Sequence, residues 1–219
     1  MQTCPTTAGN SMTGSGNAEI DLYLASSSPR RCELLKQIGI RFEVVSGLDV
    51  DESQQVAETP EHYVYRLARD KAIAGHYLIS SDVTGRPATL APVLGADTCI
   101  AIDGEILGKP ADRDDGIAML RRLSGISHRV LTAICLFDGK HESQCLSQSV
   151  VSFKALGLDE IKRYWESGEP ADKAGAYAIQ GYAARFITHL QGSYSGVVGL
   201  PLYELSELLQ SRHKEAAGE

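Results

Sequence analysis

Several short segments of this chain carry residue types whose spacing could support chemistry. Ala25-Ser26-Ser27-Ser28-Pro29-Arg30-Arg31 lies between an apolar run and a helical pattern. Ser28 suits a helix N-cap, and Pro29 suits the first helical position, where its missing N–H is not needed. Free amide N–H groups and the helix dipole at such a start favour an anion. Arg30 and Arg31 occupy the first turn, where cations are normally disfavoured. A bound polyphosphate resolves that conflict. Taken alone, the segment also reads as a surface helix with two solvated arginines.

Leu94-Gly95-Ala96-Asp97-Thr98 places an acid directly after an apolar strand pattern. A carboxylate at the exit of a strand is well placed to be a general base or a metal ligand. Gly108-Lys109-Pro110 holds a cation between two conformationally special residues. It is not a phosphate-binding loop of the Walker type, because the upstream glycine is missing and Pro110 stands at the Ser/Thr position. Lys71, beside Arg69 and Asp70, would by itself be a solvated helix face. Asp172-Lys173-Ala174-Gly175-Ala176-Tyr177-Ala178-Ile179-Gln180-Gly181 combines small residues, which allow close backbone approach, with Gln180. The Gln180 amide offers a donor and an acceptor, which suits a nucleobase edge. A tight structural turn with a surface glutamine is the alternative.

The elements that must position these residues follow from periodicity. Leu22–Ala25 reads as a buried strand, leading to a helix with Leu34, Leu35 and Ile38 on one face that ends near Gly39. Phe42–Val45 is a second strand. Thr59-Pro60-Glu61 opens a helix carrying Tyr63, Leu67, Ala68 and Ile73. Ser80 to Ala91 is polar and reads as a loop. Val93–Ala96 and Cys99–Ile102 form a central strand that runs to Asp103-Gly104, a hairpin signal. Arg113–Leu123 is helical. Strand patterns around Val130–Phe137 and Gln144–Phe153 flank Asp138-Gly139, a second hairpin signal. Leu158–Trp165 and Pro201–Leu209 are helical, and Gly192–Pro201 reads as an architectural glycine-rich turn. The mixture predicts an α/β fold, a twisted mixed sheet with flanking helices.

Composition sets the outer bounds. The 219 residues can bury a substantial core, and the net charge of −7 argues against stable nucleic-acid binding. An anionic ligand therefore needs a local basic cluster. No apolar run is long enough to span a bilayer. The five cysteines are scattered and lack paired-ligand spacing, as in a reduced, cytoplasmic protein without structural zinc. Residues 1–18 read as a disordered extension, 19–210 as one domain and 211–219 as a polar, fraying tail. The N-terminal stretch has neither the pattern of a secretion signal nor that of a transit peptide.

Taken in order, Ser26-x-x-Pro29-Arg30-Arg31, Gly95-Ala96-Asp97-Thr98, Gly108-Lys109-Pro110, Leu123-Ser124-Gly125, Asp172–Tyr177, Ile179-Gln180-Gly181 and Val198-Gly199-Leu200-Pro201 resemble the Maf family of nucleoside triphosphate pyrophosphatases. The resemblance runs from about Leu22 to Leu209. It implies two lobes around a cleft, similar to inosine-triphosphate pyrophosphatase, and often a homodimer. It implies hydrolysis between the α- and β-phosphates, giving a nucleoside monophosphate and pyrophosphate.

By position, Asp97 matches the family's catalytic base. Ser26, Arg30, Arg31, Lys71, Lys109 and Lys173 match its phosphate-handling residues. Arg30, Thr98 and Gln180 match the positions tied to base choice. Glu52 matches a metal-binding acid that acts with Asp97, with Asp51 as its rival. The implied cofactor is a divalent cation, Mg²⁺ or alternatively Mn²⁺, which would offset phosphate charge. The Gln180 block resembles the branch acting on dTTP and UTP. No Cys or Ser is paired with a His in the sequence, which favours direct attack by water. A nucleotide-binding regulator of cell division, acting through a protein partner, is the alternative; an intact Asp97 favours the enzyme. Three departures stand out: the Ser80–Ala91 loop is long, the N-terminal extension is additional, and Tyr182-Ala183-Ala184 is bulkier than the family's usual glycine-rich continuation.

Overall fold

The computed structural model describes residues 20–81 and 91–217. The expected disordered segment over 1–18, and residues 82–90 of the expected loop, lie outside the described residues.

Strand β1 (Leu22–Ala25) is buried along its whole length. It pairs in parallel with β2 (Phe42–Val44) on one side and with β3 (Val93–Ile102) on the other. From β3 onward the sheet is antiparallel. β3 pairs with β5 (Ser127–Phe137), β5 with β6 (Glu142–Phe153), and β6 with β7 (Ile187–Gln191). The short β4 (Glu105–Leu107) folds back on the end of β3. Asp103 and Gly104, with φ of 51° and 85°, make the turn between them, as the Asp-Gly pair predicts. The result is one seven-stranded mixed sheet in the order β2-β1-β3-β5-β6-β7.

Strand alternation sorts the side chains onto two faces. Cys99 and Ala101 of β3, with Leu131, Ala133 and Cys135 of β5, meet Val64, Ala68 and Ala72 of helix α2 (Pro60–Ser80). The opposite face presents Leu94, Ile100, Val130, Ile134 and Leu136 to the other helices. These are α1 (Pro29–Gln37), α3 (Arg113–Leu123), α4 (Leu158–Glu166), the short α5 (Tyr194–Val198) and α6 (Leu202–Ala217). The small residues on α2 let it lie close to the sheet. At Gly95 a Cβ would sit 2.0 Å from the Ala68 carbonyl oxygen and 2.6 Å from the Ala72 nitrogen, so only glycine fits under α2 there.

Three expectations need correction. Ile38 is not on the buried face of α1; it caps the helix and is 37% exposed, because the helix stops at Gln37. The last helix does not end near Leu209 but continues to Ala217, and Arg212 reaches Asp138 in an ion pair. The Gly192–Pro201 stretch is not only a turn, since Ser193 Oγ accepts a hydrogen bond from Gly196 N at 3.0 Å and starts α5.

Candidate active site

The site lies where the sheet is interrupted. β1 ends at Ala25, opposite Gly95, and β4 reaches β3 only at Ile100. Among the described residues, Ala96 to Cys99 therefore has no strand on that edge. Asp97 is thus not at the exit of its own strand, as expected; β3 runs straight through it, and it is the neighbouring strands that stop. Ser26 follows the end of β1, and Gly108-Lys109 follows the end of β4. Gly175 N donates to Gly108 O at 2.9 Å and brings the third segment alongside.

All ten residues picked from the sequence line one cleft of about 600 Å³. It presents five cations (Arg30, Arg31, Lys71, Lys109 and Lys173) and three carboxylates (Glu52, Asp97 and Asp172). This local positive excess stands in a chain whose net charge is −7. Such a cleft concentrates anions.

Lys71 is not a solvated face. Its ammonium is held 2.7 Å from Asp97 Oδ1 and 2.6 Å from Glu52 Oε1, and its side chain is 12% exposed. Burial raises the Asp97 pKa above the ordinary carboxylate value, against the opposing pull of Lys71 and Arg31. Burial also opposes ionisation of Glu52. There the Lys71 hydrogen bond and charge, helped by Lys109 and Arg31, outweigh it and hold the carboxyl below its usual value. A buried carboxylate with a raised pKa is a good proton acceptor.

Glu52, and not Asp51, faces the cleft. Asp51 turns away, accepting a hydrogen bond from Ser53 N at 2.9 Å. The loop carrying Glu52 is clamped by α2. Tyr63 Oη donates to Glu52 O at 3.0 Å, and Arg66 donates to Asp51 O at 3.3 Å and to Ser53 O at 2.9 Å. Arg66 is itself anchored on Glu58 at 2.7 Å.

No group of three or more His, Cys, Asp or Glu side chains among the described residues could hold a metal by itself. Two carboxylates joined by substrate phosphates and water are nevertheless a donor set that suits a hard divalent cation such as Mg²⁺.

The start of α1 differs from the expected capped helix. Ser28 has N-cap backbone geometry, but its side chain caps nothing. Instead Ser26 Oγ accepts from Ser28 N at 3.2 Å and from Arg31 Nη1 at 3.0 Å. With both lone pairs taken, the Ser26 hydroxyl keeps its proton to donate to a ligand. Arg31 is 9% exposed; it also donates to Gly199 O at 2.8 Å and to Thr98 Oγ1 at 3.3 Å. Burial lowers its pKa, although a guanidinium stays charged. Arg31 is therefore a buried strut with a charge. Arg30 and Lys109 have no ion-pair partner among the described residues, whereas Lys173 is paired with Asp172. The Gln180 side chain is exposed at the cleft and makes no hydrogen bond within the described residues.

Cys99 also lines the cleft, but burial, followed by the charge of Asp97, pushes its thiol up to about 12. It is not a thiolate nucleophile. No histidine lies among the described lining residues. Sequence reasoning missed Tyr63, Arg66, Thr132 and the Gly199 carbonyl. Each acts through a contact with another segment of the chain, and of the four only Gly199 sits in a glycine-rich motif, which read as architectural.

A family profile described as "Maf-like protein" matches residues 21–212. The chain is 52% identical over 190 residues to a protein of Pseudoalteromonas translucida named dTTP/UTP pyrophosphatase; the match covers 87% of this chain and 96% of that one. A protein of Alkalilimnicola ehrlichii with the same name is 51% identical over 188 residues, covering 86% and 91%. One of Xanthomonas campestris, also so named, is 52% identical over 189 residues, covering 86% and 96%.

Proposed function

This chain belongs to the Maf family, and on that premise we propose that it hydrolyses dTTP and UTP to the nucleoside monophosphate and pyrophosphate. The observation that carries the reading is Asp97 on the open edge of β3, buried and bridged by Lys71 to Glu52 inside a cation-lined cleft.

In this reading Asp97 orients a water molecule and accepts its proton as the water oxygen bonds to phosphorus. The anhydride oxygen leaves with the pyrophosphate. Lys109, Arg30 and Lys173 offset the charge that collects on the phosphates, and the Ser26 hydroxyl donates to a phosphate oxygen. Arg31 holds Ser26 and Thr98 in place and adds a fixed positive charge. Glu52 and Asp97 would hold a divalent cation, Mg²⁺ or Mn²⁺, which when bound neutralises phosphate charge. Lys71 keeps these two carboxylates together before substrate arrives. Thr98 and Gln180 face the base, where the Gln180 amide N–H can donate to a carbonyl of uracil or thymine. The reading includes a homodimer and a cytoplasmic setting; free thiols at Cys32, Cys99, Cys135 and Cys145 support a reducing compartment.

The test is a nucleotide panel with Mg²⁺ in which pyrophosphate and orthophosphate are scored separately. Pyrophosphate from dTTP and UTP is expected. Orthophosphate with a nucleoside diphosphate would place cleavage at the γ-phosphate and end the reading.

A further inference from the structure

One hydrogen-bond chain behind the cleft has a direction that its chemistry imposes. Thr98 and Thr132 are cross-strand partners of β3 and β5, and their hydroxyl oxygens are 2.9 Å apart. Thr132 Oγ1 also lies 2.7 Å from Gly196 O. A carbonyl can only accept, so the single Thr132 proton goes to Gly196. Thr98 must then be the donor to Thr132. On its other side, Thr98 Oγ1 accepts from Arg31 Nη2 at 3.3 Å, since a guanidinium can only donate. The order Arg31 to Thr98 to Thr132 to Gly196 is forced at every link. Thr132 is 1% exposed, so water cannot replace it.

The consequence falls on Thr98, which lines the cleft. Its proton is spent, one lone pair is used by Arg31, and one lone pair remains. Toward a ligand it can only accept.

We propose that Thr132 is a positioning residue for base choice, which fixes Thr98 as an acceptor-only group and so selects a base with a ring N–H. This rests on the reading of the protein as a nucleoside triphosphate pyrophosphatase with Thr98 at the base. Uracil and thymine present N3–H and are accepted. Cytosine presents an N3 lone pair and meets lone pair against lone pair. Sites that read one hydrogen-bonding group in this way reject the mismatched analogue strongly.

The experiment measures kcat/KM for UTP, dTTP and CTP, by released pyrophosphate, in the wild type, Thr132→Val and Thr132→Ser. Valine keeps the shape and removes the acceptor, so the Thr98 proton is released and can turn toward the cleft. The UTP-to-CTP ratio is expected to fall about tenfold, mainly because CTP improves. Serine keeps the hydroxyl chain and is expected to keep the wild-type ratio. Thr132→Ala, read the same way as valine, covers the case in which valine does not fold. An unchanged ratio in the valine or alanine variant overturns the proposal. So does an equal shift in the serine variant, which would make Thr132 a packing residue. A wild type that releases no pyrophosphate from UTP instead overturns the pyrophosphatase reading, and this proposal with it.

Discussion

Lys71 Nζ stands 2.7 Å from Asp97 Oδ1, joining helix α2 to the open edge of β3. The same ammonium reaches Glu52, so one cation holds two carboxylates that would otherwise repel. Replacing it with a neutral side chain, Lys71→Met, leaves those acids facing each other. The Asp97 carboxyl is then expected to rise further, because an opposing charge is lost while burial stays. The acidic limb of the kcat–pH profile should move to higher pH, with kcat falling about 10²-fold or more. An unshifted limb would show that Lys71 does not hold the base.

Asp97→Asn keeps the shape of the side chain but cannot take a proton. Turnover is expected to drop on the order of 10²–10⁴-fold while nucleotide binding persists. Calorimetric titration with a non-hydrolysable dTTP analogue, set beside the turnover rate, checks both halves. Near-normal turnover would remove Asp97 from the role of base.

Arg66→Met breaks the clamp on the loop bearing Glu52, because Asp51 O and Ser53 O both lose their donor. Glu52 would then sample more orientations. Groups that orient a ligating carboxylate are typically worth about 10–100-fold in metal affinity. The Mg²⁺ concentration for half-maximal activity should rise about tenfold, with kcat at saturating Mg²⁺ changed much less. Equal Mg²⁺ requirements in the two proteins would rule the clamp out.

Gln180→Glu replaces an amide donor with a second acceptor at the mouth of the cleft. Pyrimidine carbonyls would then face a carboxylate, at a cost of about 1–3 kcal/mol. kcat/KM for dTTP and UTP is expected to fall clearly more than for GTP, with the thermal midpoint unchanged. A small, equal effect on all nucleotides would make Gln180 a surface residue of a tight turn.

His128 gives a pH dependence of stability separate from catalysis. It is 2% exposed, its Nε2 lies 2.8 Å from Tyr177 Oη, and burial lowers its pKa from 6.5 to about 4. Between these values the unfolded chain binds a proton that the folded one refuses, so stability falls as pH falls through this window. Going from pH 7 to pH 5 should cost about 2 kcal/mol from this group. Urea unfolding of the wild type and His128→Phe at both pH values tests it. The variant should lose that part of the slope, and an unchanged slope would acquit His128.

Local pattern was enough for most of the fold. The proline at the start of α1, the Thr59 cap of α2, the apolar period of two and the Asp103-Gly104 turn specify their elements through short-range sterics and hydrogen bonding. The same locality marked Ser26, Arg30, Arg31, Asp97, Lys109, Lys173 and Gln180, which sit in motifs of special backbone or charge, whereas Glu52, Lys71 and Thr98 were marked through the family resemblance. Local pattern misled where an element's end depends on its neighbours. Asp97 followed an apolar run and so read as a strand exit, yet β5 pairs with β3 across it and continues the strand. Polar residues beyond Ser211 read as a tail, yet the ion pair between Arg212 and Asp138 ties the end of α6 back to the β5–β6 turn.

Roles among the marked residues were decided by tertiary structure alone. Charge type does not distinguish Arg31, buried as a strut, from Arg30, which has no ion-pair partner among the described residues; only packing against Gly199 and Thr98 does. The resemblance named Glu52 with Asp51 as its rival, and which of the two faces the cleft depends on how α2 grips the loop that carries both. Thr132 was silent in the sequence. A threonine in a strand is ordinary, and its meaning comes from which oxygen it must donate to across the sheet.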